Sequence, residues 1–224
     1  MKKFIFISLI VLISGIQLSA QVEEGTILVG GTAGFSSGNS KTIFDDGTNT
    51  TTTDGPKTTS FEVSPWFGYM LSEDLGAILG FGFSSSTEES KYDDFNGDEH
   101  TVTDKSTLFY VAPGIRYYYV HLDFTHLWAQ LSVPVGFGKM TEDDKVGGAT
   151  TSFESKISTF GVGLTPGVTI NIGDVCGLEA SYGFLGFNSY QTKSEVGSTT
   201  STYKSSSFGL EWAETFNFGI VFQL

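Results

Sequence analysis

Few residues in this chain have types suited to chemistry, and their spacing withholds most of what they could do. His100, His121 and His126 lack the regular short separations of a metal-binding set and read as solvated residues of loops or turns. Gly161-Val162-Gly163 invites comparison with a phosphate-cradling loop, but no helix pattern follows it, so these read as strand glycines. Asp94-Phe95-Asn96-Gly97-Asp98 approaches a calcium loop, yet its glycine stands fourth instead of sixth and no distal bidentate glutamate follows. Cys176 is alone, which excludes an intramolecular disulfide framework and reads as a small strand residue. No catalytic, cofactor-binding or metal-binding residue is assigned on these grounds. What remains are four ionisable residues within otherwise weakly charged runs: Arg116, Glu179, Glu62 and Glu211.

The elements that position them are β-strands. Gly, Ser, Thr, Phe and Tyr are abundant, as expected for pleated strands joined by polar turns. Strands are read near 25–36, 58–71, 75–87, 105–119, 127–140, 155–172, 176–190 and 206–223. Polar segments of about 15 to 20 residues centred on Asp46, Asp94, Asp144 and Val196 alternate with tight links at Ser72-Glu73-Asp74, 120–126 and Gly173-Asp174-Val175. Short turns alternating with long loops, with an even strand count, predict an all-β, eight-stranded antiparallel up-and-down transmembrane β-barrel whose termini share the periplasmic side.

Within the strands the period is two, and the outward set is apolar enough for lipid. Leu127, Ala129, Leu131, Val133, Val135 and Phe137 alternate with Trp128, Gln130, Ser132, Pro134, Gly136 and Gly138. Leu75, Ala77, Leu79, Phe81 and Phe83 likewise alternate with Gly76, Gly80 and Gly82. Aromatic residues collect at two heights. Tyr69, Tyr117, Tyr119 and Phe222 lie near the short-turn ends, and Phe61, Phe109, Phe137, Phe160 and Trp212 about ten residues higher, roughly 25 Å along a tilted strand. A soluble barrel would keep its apolar residues inside, and it has no need of this spacing.

Residues 1–20 read as an export signal: Lys2 and Lys3, an apolar run from Phe4 to Ile16, then Leu18-Ser19-Ala20 as a cleavage site. Residues 21–224 are then one barrel domain. With Gln21 rather than cysteine after the cut, no lipid anchor is expected. The formal charge of −13 becomes −15 once the two signal lysines are removed, which argues against nucleic acid as a partner. The acid concentrates in the long-loop segments: Asp45, Asp46 and Asp54, then Glu88 to Glu99, then Glu142 to Asp144.

Proline removes a ladder hydrogen bond and avoids central strands, yet Pro65, Pro113, Pro134 and Pro166 all fall inside predicted strands. A bulge, or a bond on the wide side of the ladder, is expected at each. Glu214 falls on the lipid face by strict alternation, either clearing the bilayer or turned inward by a bulge. Arg116 and Glu179 both face inward at similar heights, and charges in a tight lumen must be paired. An Arg116–Glu179 bridge across the barrel is therefore expected, with Glu62 and Glu211 inward nearer the outer rim. The expected role of this cluster is a polar plug, with a gated ion path as the alternative.

Ser64-Pro65-Trp66-Phe67-Gly68-Tyr69, Tyr110 to Tyr117 and Gly177-Leu178-Glu179 resemble the outer membrane protein β-barrel family, the small barrels of the OmpA and OmpX type. The alternating Phe216, Phe218, Ile220, Phe222 and Leu224 are similar to the C-terminal signal through which such proteins are recognised by barrel-insertion machinery, except that the usual last residue is aromatic. His126 precedes Leu127 and Trp128, so the His-x-Ser arrangement of the lipid A deacylases is missing. The resemblance implies a role in envelope integrity, adhesion or surface interaction, and the expected protein is a non-enzymatic, monomeric barrel in the outer membrane of a gram-negative cell. It would have a structural or surface-interaction role through its acidic loops and an unknown extracellular partner. A narrow, porin-like channel for ions or small solutes is the alternative.

Overall fold

Alternating apolar and small or polar residues specify strands whose two faces meet different media, and antiparallel pairing follows from the short turns between them. The computed structural model describes residues 23–45, 50–93, 98–196, 199–211 and 217–224, and among these omits the side chains of 42–45, 51–54, 93, 184, 196, 210 and 211. The predicted export signal, Asp46, Asp94, Trp212, Glu214 and the side chain of Glu211 lie outside the described residues.

Among the described residues, eleven strand segments build a ring of eight barrel strands. The first four are β1 (Ile27–Asp45), β2 (Thr50–Met70), β3 (Leu75–Asp93) and β4 (Glu99–Leu122). The fifth is β5 (Thr125–Ser132) continued by β6 (Val135–Val146), and the sixth is β7 (Ala149–Asn171). The seventh is β8 (Cys176–Ser181) continued by β9 (Phe184–Val196), and the eighth position holds β10 (Thr199–Glu211) and β11 (Asn217–Gln223). The segments pair antiparallel around the ring, β10 with β9 alone among the described residues, and β11 closes the ring on β1 from Leu28↔Gln223 to Gly31↔Ile220. Gly161-Val162-Gly163 lies inside β7 and Cys176 opens β8.

The strands run further outward than their apolar pattern predicts. Segments read as loops of about 15 to 20 residues are hairpin extensions: Asp144 lies in β6, Val196 ends β9, and β6 joins β7 through Gly147 and Gly148 alone. Above the lipid both faces of a strand are wet, so polar Ser and Thr runs carry no period-two signal although they pair well. One inward row shows this. Ser36, Ser60, Ser86 and Ser106 are successive cross-strand partners, and the row continues through Met140, Ser155, Ser194 and Ser201.

The apolar surface faces outward. Tyr69, Tyr117, Tyr119 and Phe222 at one level and Phe61, Phe109, Phe137 and Phe160 at the other are all exposed. The buried apolar set is small, and Leu28, Met70, Tyr118, Trp128 and Val221 form one cluster near the short-turn end. This is the inverse of a soluble barrel.

Only one of the four prolines sits at a register shift. At Pro65 and Pro113 one neighbouring ladder pairs through (Gly31↔Pro65, Leu79↔Pro113) while the other skips a step and resumes in the same register. Pro134 lies in the break between β5 and β6, and the ladder to β7 resumes unshifted. At Pro166 the register to the seventh strand shifts by one, with the extra residue absorbed at Tyr182-Gly183, where Gly183 has φ +74°. The carbonyls of Pro113, Pro134 and Pro166 accept bonds from the amides of Val133 (2.9 Å), Gly161 (2.9 Å) and Tyr182 (3.2 Å). A bulge is thus used at Pro166, and a local gap in pairing at the other three.

Candidate functional site

Two tryptophans project into the lumen because glycine stands directly across the ladder from each. Gly30 partners Trp66 and Gly167 partners Trp128, and a Cβ added to either glycine would strike the facing indole. The flattened rings leave a slot that Arg116 of β4 fills, its guanidinium carbon 4.5 Å from the Trp66 ring centroid and 3.9 Å from that of Trp128. Substituting Gly167 with Ala pushes Trp128 off this position. It is expected to lower the unfolding free energy by about 1–3 kcal/mol, read from denaturant unfolding in detergent.

Arg116 Nη1 donates to Glu179 Oε1 of β8 at 2.5 Å, joining opposite sides of the barrel. Its Nε and Nη2 both donate to Gln130 Oε1, at 3.1 and 2.9 Å. Glu179 Oε1 also accepts from the Thr169 hydroxyl at 3.0 Å, which itself accepts from Trp128 Nε1 at 3.0 Å. Arg116 is 3% exposed and Glu179 8%. Among the described residues, every buried side-chain polar atom has a hydrogen-bond partner. The network is therefore fully satisfied, the condition under which buried charge is tolerated.

This layer separates two unlike halves of the lumen. Towards the short turns the apolar cluster packs tightly. Towards the hairpins opens a cup of about 370 Å³ lined by Trp66, Tyr110, Arg116, Trp128, Gln130 and Glu179 among others. Glu62 stands in the cup wall, where it accepts from the Ser64 hydroxyl at 3.1 Å, and Ser64 is in turn 2.9 Å from the Tyr110 hydroxyl. Glu62 is thus not joined to the Arg116–Glu179 pair by a bond, and the side chain of Glu211 lies outside the described residues.

Above the cup, Glu88, Asp104 and Glu142 are directly opposed on β3, β4 and β6 and face inward. Much of the outward-facing acid is matched by lysine: Lys91–Glu99, Lys105–Asp143, Lys139–Glu154 and Lys193–Glu195 are ion pairs. The Ser152 hydroxyl, and then Lys105, hold the Asp143 carboxyl below the usual carboxylate range, so this contact weakens as pH falls through that lowered value.

Of the three histidines read as solvated, His121 is exposed, whereas His100 is half-buried and His126 buried. His100 lies in β4, stacked on Tyr92 at 4.8 Å with its Nδ1 3.2 Å from Asp144 Oδ1. His126, the second residue of β5, points inward and is 1% exposed. His121 reaches it because the β4–β5 register shifts between Tyr118 and Val120, which reverses the alternation and makes His121 and His126 direct partners. A sequence signal for that bulge is absent, since strict alternation puts His121 on the lipid side with Tyr119.

A search of curated proteins finds no match. Among solved structures, the chain is similar to the attachment invasion locus protein Ail of Yersinia pestis (14% identity, 90% of this chain and 99% of that one, TM-score 0.36). It is also similar to the outer membrane protein OprG of Pseudomonas aeruginosa (12%, 92% and 99%, TM-score 0.48). A third is the N-terminal β-barrel domain of OprF from Pseudomonas aeruginosa (10%, 90% and 98%, TM-score 0.29). The model of one protein family matches residues 6–216, nearly the whole chain. With its ring of eight strands and outward apolar belt, the chain belongs to the outer membrane protein β-barrel domain family.

Proposed function

We propose that the protein is a closed, non-enzymatic outer-membrane barrel that presents its hairpin extensions to the outside of the cell as a surface-interaction module. In this reading residues 1–20 direct export and are removed, residues 21–224 form the barrel, and both termini lie in the periplasm of a gram-negative cell. The protein works as a monomer, its partners being lipid, the insertion machinery during assembly, and an extracellular molecule met by the hairpins. The observation that carries the closed-barrel reading is the Arg116–Glu179 layer, clamped between Trp66 and Trp128 and seated on packed apolar side chains.

A narrow cation channel is the second reading, favoured by the open cup and by Glu88, Asp104 and Glu142 ringing part of its approach, which would concentrate cations there. Planar-bilayer recording of the refolded barrel separates the two. The closed reading expects a silent baseline under an applied voltage, and reproducible cation-selective steps would replace it with the channel. Heat-modifiable migration on a detergent gel checks that the recorded sample is folded.

A further inference from the structure

The floor of the barrel carries a second polar group, which touches the Arg116 layer through Tyr118: its hydroxyl accepts from Arg116 Nη1 at 3.4 Å and its ring packs against both His121 and His126. His121 Nδ1 and His126 Nδ1 stand 3.1 Å apart. On the far side of each ring the other nitrogen is held: His121 Nε2 is 2.9 Å from Asp74 Oδ1, and His126 Nε2 is 3.0 Å from Asn171 Nδ2. Asn171 Oδ1 in turn accepts from Gln223 Nε2 at 3.0 Å. We propose that His121 and His126 form a two-imidazole chelate for a divalent transition metal ion at the short-turn end of the barrel.

Three features support a ligand pair over a purely structural contact. The first is bite. Two metal–nitrogen bonds of about 2.0–2.1 Å at a tetrahedral angle place their nitrogens about 3.3 Å apart, so the observed separation needs a shift of only a few tenths of an ångström. The second is the outer shell. A metal-ligating histidine donates its remaining N–H to a carboxylate, carbonyl or amide, which fixes ring and tautomer. Asp74 and Asn171 occupy those places, and both act on Nε2, leaving both Nδ1 atoms to converge. The third is the bulge at Tyr119, a departure from regular pairing whose effect is to aim His121 at His126.

The protons balance without an added reactant. With both rings neutral, one Nδ1 carries the hydrogen of the Nδ1···Nδ1 bond. On binding, the metal sits beside the Nδ1···Nδ1 line and both rings turn to aim Nδ1 at it, His126 moves its proton to Nε2, and the Asn171 amide turns its oxygen to receive it. Asn171 and Gln223 can turn together because the two ends of each amide are nearly equal in shape. Water fills the remaining coordination positions from the side of His121, which is 37% exposed at its side chain. Imidazole donors favour copper(II) over nickel(II) and zinc(II).

The test is calorimetry of untagged barrel refolded in detergent, titrated separately with copper(II), nickel(II) and zinc(II) salts, with copper resonance spectra recorded in parallel. One saturable ion per barrel is expected, tightest for copper, with coupling to two nitrogens in the copper spectrum. His121→Gln, at a partly exposed position that leaves the fold intact, should abolish the site. Asp74→Asn should weaken it about tenfold, and His100→Gln should leave it unchanged. Absence of saturable binding, equal binding in His121→Gln, or full affinity in Asp74→Asn would each overturn the proposal. None of these results depends on whether the lumen conducts.

Discussion

Arg116→Ala is expected to unfold at markedly lower denaturant and temperature than the parent barrel, with a loss of about 3–5 kcal/mol. Glu179 would keep its Thr169 bond but lose the Arg116 guanidinium while remaining buried. Trp66 and Trp128 would lose the guanidinium that fills the slot between them. Replacing both charges, as Arg116→Met with Glu179→Leu, should recover most of the loss, because two apolar side chains leave no charge stranded. Unfolding curves in detergent for the single and double variants form the check. A single variant as stable as the double would show that the pair contributes nothing beyond packing. The single variant should also stay electrically silent, since Leu28, Met70, Tyr118 and Val221 still close the floor.

Leu131→Arg is the second large effect. Leu131 lies midway between the short-turn end of its strand and the outer aromatic level at Phe137, and its side chain points outward, 42% exposed. In a bilayer that exposure is to hydrocarbon, and an arginine there costs about 2–4 kcal/mol. Gln191→Arg, outward on β9 among charged neighbours such as Lys193, should cost less than about 1 kcal/mol by the same rule. Reversible folding into lipid vesicles, followed by tryptophan fluorescence against urea, measures both. Equal costs at the two positions would contradict the membrane band as placed by the aromatic residues.

These two positions were not equally legible. Leu131 is apolar among small and polar neighbours, and its outward direction follows from alternation within its own strand. The inward direction of Arg116 and Glu179 was legible in the same way. That their side chains meet was not, because the residues are 63 positions apart and on non-adjacent strands. The pairing of Trp66 with Gly30 and of Trp128 with Gly167 depends likewise on register between strands.

The histidines show the limit most clearly. One extra residue at Tyr119 changes the face of His121, and nothing in the local residue types announces it. The outer extensions failed for a different reason, since Ser and Thr runs in water need no alternation and so read as loop. By itself the sequence determined the medium on each face, the number of barrel strands and the heights of the aromatic belts, because side-chain period is a property of a single strand. Only the tertiary structure decided which inward groups meet, where the ladder skips or bulges, and how far the hairpins rise. Those depend on the stagger accumulated around a closed ring, which no single strand contains.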